Sequence, residues 1–165
     1  MSEDRIVVPV EPEAAVIRAR FEGDYTDALR RGDRVAVGTL RLLRAAVQEL
    51  MVARTDRKRK DLGQPLTATD ITGIVEKQIK QREEAAEAFQ KGARPERAAE
   101  EAAEAAFLRQ YLPEKMGRTE IVAVVQRIVA GLGPDFRKVM PVAARELKGK
   151  ADGRLVQEVV REITG

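Results

Sequence analysis

Apolar residues recur along this chain at intervals of three and four, with charged residues between them. That is the period of a helix with one buried face. Over Glu13–Arg31 the positions Val16, Ile17, Phe21, Tyr25, Ala28 and Leu29 are expected on one side, with Gly32 as the stop and Asp33 as the next cap. From 34 to 56, Val37, Leu40, Leu43, Val47, Leu50 and Met51 form the clearest stripe, flanked by Arg34, Arg41 and Arg44. Thr67-Ala68-Thr69-Asp70 has the layout of a capping box, and Ile71, Ile74, Val75, Ile79, Ala86 and Phe89 follow it. Gly92 and Pro95 punctuate the chain before an Ala- and Glu-rich helix to Tyr111, expected to bury Ala99, Ala102, Ala103, Ala106, Phe107 and Tyr111. A connection this short folds two helices back antiparallel.

Leu112-Pro113-Glu114-Lys115-Met116-Gly117 interrupts the pattern. Three shorter helices are predicted beyond it: Arg118–Ala130, Asp135–Lys148 with a kink or a broken first half at Pro141, and Gly153–Ile163. The expected fold is all-α. It has a loose arm at 1–12, a helical part with a long hairpin at 13–111, a linker at 112–117 and a compact three-helix domain at 118–165. The only strand-like run, Ile6-Val7-Val8-Pro9-Val10, lies in the arm and is interrupted by its proline.

Composition narrows the chemistry. The 165 residues include no Cys, no His and no Trp, and Ser2 is the only serine. Disulfides, thiolate metal sites and the common nucleophile–base pairs are therefore absent, and neither cofactor nor metal is expected. Carboxylates four apart (Glu83 with Glu87, Glu96 with Glu100, Glu100 with Glu104) resemble a di-iron pattern, but that pattern needs histidine. They read as a solvated face. Gly131-Leu132-Gly133 follows a helix rather than a strand, so it is no dinucleotide fingerprint. The chain shows no apolar run long enough to span a membrane, and the acidic N-terminus does not read as a targeting signal; a cytoplasmic protein is expected.

The net charge of +3 is modest, but it is unevenly placed. Arg54, Arg57, Lys58, Arg59 and Lys60 oppose only Asp56, whereas 83–104 is rich in glutamate. A second basic stretch runs from Arg137 and Lys138 to the turn Lys148-Gly149-Lys150-Ala151-Asp152-Gly153-Arg154. There Gly149 suits the left-handed residue that closes one helix, and Asp152 suits the cap of the next. Lys138, Lys148, Lys150 and Arg154, with Arg57, Lys58, Arg59 and Lys60, are the candidate phosphate contacts. No aromatic residue interleaves with them, so base stacking is not expected.

The segments Thr39-Leu40-Arg41-Leu42-Leu43, Lys80-Gln81-Arg82, Tyr111-Leu112-Pro113-Glu114, Lys138-Val139-Met140 and Lys148-Gly149-Lys150-Ala151-Asp152-Gly153 together resemble the YqeY-like proteins, from about residue 24 to the C-terminus. These are similar to the tail domain of the B subunit of the tRNA-dependent amidotransferases. The resemblance implies an all-α fold and a link to tRNA. It departs from the usual pattern at Arg137 and Pro141, where small residues are common, and at Arg145, near a common proline. A non-catalytic tRNA-binding accessory module is the reading that follows. The alternative is a helical module docking a translation or tRNA-modifying enzyme, such as a tRNA-amidation enzyme, through its Ala/Glu-rich hairpin. Amidotransferase activity in its own right finds no nucleophile and base here.

Overall fold

The structure is a computed structural model and describes residues 5–165. Its named elements are all helical: α1 (Pro12–Arg31), α2 (Arg34–Ala53), α3 (Ala68–Lys91), α4 (Pro95–Leu108) with a 3-10 turn at Arg109–Tyr111, α5 (Arg118–Leu132), α6 (Phe136–Leu147) and α7 (Gly153–Thr164). The chain divides into two compact units, Met1–Leu112 and Pro113–Gly165.

In the first unit, Phe21, Leu40, Leu43, Val47, Ile71, Val75, Leu108 and Tyr111 form the core. Two helices are turned partly away from the face their spacing predicts, although Ile17, Phe21, Tyr25 and Ala28 of α1 and Phe107 of α4 pack inward as expected. On α1 the buried residues are Ala14, Phe21 and Ala28, while Val16 and Leu29 are exposed. On α4 the inward residues are Ala98, Ala105 and Leu108, and Ala99, Ala102, Ala103 and Ala106 face solvent. Alanine carries too little apolar surface to set a helix's rotation. Leu108 sets it instead, because burying a leucine gains about 1.5–3 kcal/mol. Two inward polar positions accept that rotation because Arg82 of α3 forks between Glu101 and Glu104 of α4, at 3.2 and 3.1 Å.

Tyr111 ties α1 to the end of α4. Its hydroxyl donates to Asp24 at 2.6 Å, Phe21 meets its ring edge-on, and the Arg20 guanidinium lies over it. Burial and the Asp24 bond push the phenol well above its ordinary pKa. The strand-like run makes a single parallel bridge, Val10 to Leu66, through Glu11 N–H to Leu66 O and Leu66 N–H to Pro9 O. Val8 is buried and Val10 packs against the core, so this run is held on the body; positions 1–4 of the predicted loose arm lie outside the described residues.

In the second unit, α5, α6 and α7 all pack on one another around Ile121, Val125, Val139, Ala143, Leu147, Val156, Val159 and Val160. The α6 helix runs through Pro141 without a break. The proline is exposed, so the Arg137 carbonyl that loses its helical partner can bond to water. Asp135 caps the first turn, and buried Val139, Ala143 and Leu147 hold the rest.

Candidate nucleic-acid interface

The turn joining α6 to α7 is built as its residue types require. Gly149 takes φ +75°, and Lys150 and Ala151 both donate their N–H groups to the Leu147 carbonyl. Asp152 then caps α7, accepting from Arg154 N–H at 3.0 Å and Leu155 N–H at 3.1 Å. The Leu155 and Arg154 amides, with the charges of Lys115 and Arg154, outweigh partial desolvation and hold the Asp152 carboxyl below the usual range. One expectation changes here. The first amides of α7 are already occupied by Asp152, so anion binding at this turn falls to the side chains.

Those side chains are exposed, and Lys148, Lys150 and Arg154 make no ion pair among the described residues. A fourth cation, Lys115, joins them. The Lys150 carbonyl accepts from Met116 N–H at 2.8 Å, which pins the segment before α5 onto the turn and brings Lys115 close to Asp152. Sequence reasoning missed Lys115 because it sits in the pattern-breaking stretch, far from the turn along the chain. Lys138 is not part of this cluster. It lies in the first turn of α6 and Lys148 just past the last, about 15 Å apart along the helix axis.

The other basic segment lies in the first unit. Its cations divide by role. Arg54 is buried and bonded to Asp70, Pro65 O and Asp61. Arg59 is paired with Asp61 through Nε at 2.8 Å and Nη2 at 3.0 Å. The Arg59 bonds, with help from Arg54 and against desolvation, keep the Asp61 carboxyl far below its ordinary range. Arg57, Lys58 and Lys60 remain exposed without an ion-pair partner among the described residues. Arg54 and Arg59 hold the loop in shape, and the others give it its charge.

Among the described residues, no group of three or more acidic side chains is placed to hold a metal. Of the paired glutamates, Glu83 meets Arg109, Glu100 meets Arg97 and Glu104 meets Arg82. No helix of the described residues is long and apolar enough to cross a membrane.

The sequence model of the family described as Yqey-like protein matches residues 18–163. The chain belongs to the YqeY-like family. Comparison with individual curated proteins returns no match. In this YqeY-like chain the five segments that carried the resemblance have different tasks. Leu40, Leu43, Arg82 and Tyr111 build the first unit, and Val139 builds the second. The turn at 148–153 also exposes unpaired cations.

Proposed function

We propose that this YqeY-like chain is a non-catalytic tRNA-binding accessory module, with the α6–α7 turn as its phosphate contact. The observation that carries the reading is the charge balance at that turn. Lys148, Lys150 and Arg154 are exposed without an ion-pair partner among the described residues, Lys115 and Arg154 act on the Asp152 carboxylate, and Asp152 is already committed to capping α7. Exposed cations without a partner release counterions when they meet a phosphate backbone, and binding of this kind positions RNA without reading its sequence. Arg57, Lys58 and Lys60 add charge of the same type. The absence of exposed aromatic residues among these cations fits contact with a folded RNA's backbone rather than stacking on single-stranded bases.

The test is retention of fluorescein-labelled, unfractionated tRNA across a salt series. The four cations of the turn predict a slope of log affinity against log salt of about −3 to −4. Lys150→Glu with Arg154→Glu should reduce the size of that slope by about 2, while the circular dichroism spectrum stays unchanged. Binding indifferent to salt, or no binding at low salt, overturns the reading. Recovery of a protein partner after nuclease treatment, with no RNA retained, would favour docking of an enzyme instead.

A further inference from the structure

The α1–α2 seam carries an unassigned groove. Residues Arg18, Glu22, Tyr25 and Leu29 recur along one side of α1, and Arg34, Gly38, Arg41 and Ala45 along the facing side of α2. Two hollows, of about 430 and about 320 Å³, lie along it and share Arg41. They suit several side chains of an elongated ligand better than one small molecule.

Its charge is unbalanced. Glu22 is the only carboxylate lining either hollow, and it already accepts from Arg44 Nε at 2.7 Å. Arg44 also lies over the Tyr25 ring, 4.4 Å from its centroid, so it is fixed in place. Arg18, Arg34 and Arg41 have no ion-pair partner among the described residues. Arg34 and Arg41 are two helical turns apart on α2, about 10.5 Å along its axis. Carboxylates seven residues apart on a partner helix repeat at that distance.

Between these arginines the groove is apolar. Leu29 is 52% exposed, Val37 is half-buried beside it, and Gly32 and Gly38 present backbone with no side chain. A Cβ built at Gly38 meets nothing within 4 Å, so another backbone has room to approach. A phosphodiester chain would leave Leu29 and Val37 unfilled. Base stacking is unavailable too, since Phe21 is buried and Arg44 covers the Tyr25 face. Arginines around an apolar slot fit a helix carrying carboxylates and leucines on one face.

We propose that the α1–α2 seam is a docking groove for an acidic amphipathic helix of a protein partner, held by Arg34 and Arg41 with its apolar residues against Leu29, Val37 and Gly38. The site is separate from the RNA contact proposed above and does not depend on it.

The probes are two fluorescein-labelled synthetic helical peptides of about three heptads. Each carries leucines on one face, flanked by glutamates a heptad apart in one and by lysines in the other. Anisotropy titrations use the full chain. The glutamate peptide should bind at least about tenfold more tightly than the lysine peptide. Arg34→Glu with Arg41→Glu should reverse that preference. Gly38→Leu fills the slot without changing charge or weakening the helix, and should weaken binding by about tenfold or more. Lys150→Glu with Arg154→Glu should leave the peptide affinity unchanged. The proposal fails if neither peptide binds, if both bind alike, if these α2 substitutions have no effect, or if an unlabelled RNA stem-loop displaces the peptide. An unsubstituted chain that shows no salt-dependent tRNA binding but binds the glutamate peptide would overturn only the RNA reading; the reverse would overturn only this one.

Discussion

Arg54 and Asp70 meet fork to fork: Nη1 donates to Oδ2 at 2.8 Å and Nη2 to Oδ1 at 2.9 Å. Asp70 simultaneously accepts from Thr67 N–H at 2.9 Å, as the acidic partner of the α3 capping box. One carboxylate therefore joins the end of α2 to the start of α3. Arg54, 7% exposed, also donates to Pro65 O at 2.7 Å and to Asp61, so it ties the intervening loop to both helix ends.

Removing that guanidinium strands a partly buried carboxylate and a carbonyl. Arg54→Leu should destabilise the first unit by about 3 kcal/mol, the lower end of the cost of breaking a buried pair, because Asp70 keeps some solvent contact. Arg57→Leu, in the exposed loop, should stay within about 0.5 kcal/mol. Both tyrosines, Tyr25 and Tyr111, lie in the first unit, and there is no tryptophan. Tyrosine fluorescence during urea denaturation therefore reads this unit directly. Equal midpoints for the two variants would refute the assignment.

The same pair sets an acid response. Burial pushes the Asp70 carboxyl up, but the Arg54 fork and the Thr67 bonds outweigh it and hold the group below its ordinary value. A folded-state pKa below the unfolded one gives stability that is complete above about pH 4 and is lost as pH falls through the folded value. The urea midpoint of the first unit should therefore be insensitive to Asp70 between about pH 5 and 7 and fall below about pH 4. Asp70→Asn should start lower and fall less steeply over the acid range. An identical acid slope would remove Asp70 from the account.

Thr39 is 2% exposed, and its hydroxyl has no hydrogen-bond partner. An unmade bond of this kind costs about 1 kcal/mol or more. Thr39→Val keeps the shape and discards the hydroxyl, so it should raise stability by about 1 kcal/mol. A drop in the urea midpoint would show that the hydroxyl has a partner in solution.

The turn from α3 to α4 places its left-handed residue one position past the glycine. Gly92 has φ −81°, while Ala93 has φ +56° and donates its N–H to Gln90 O, with Arg94 N–H reaching Phe89 O. At the α1–α2 turn the equivalent left-handed position is Gly32, where the strain is absent. Ala93→Gly should stabilise the first unit by about 0.5 kcal/mol, the left-handed cost relieved less the extra chain entropy of glycine. A neutral or lower midpoint would count against this turn geometry.

The sequence by itself determined the helices, the Thr67–Asp70 box, the Asp33 and Asp152 caps and the Gly149 turn. Each depends on residues within a few positions of one another, where spacing and side-chain type suffice. It also marked the cations of the α6–α7 turn, since they are adjacent in the chain. Tertiary structure decided what required residues far apart. It turned α4 so that Ala98, Ala105 and Leu108 face inward rather than Ala99, Ala102, Ala103 and Ala106, and it separated Arg54 and Arg59, which hold the loop, from Arg57, Lys58 and Lys60 beside them. Through Met116 N–H to the Lys150 carbonyl it also brought Lys115 to the turn. A cation's task depends on which carboxylate or carbonyl lies within reach, and that distance is set only when the chain has folded.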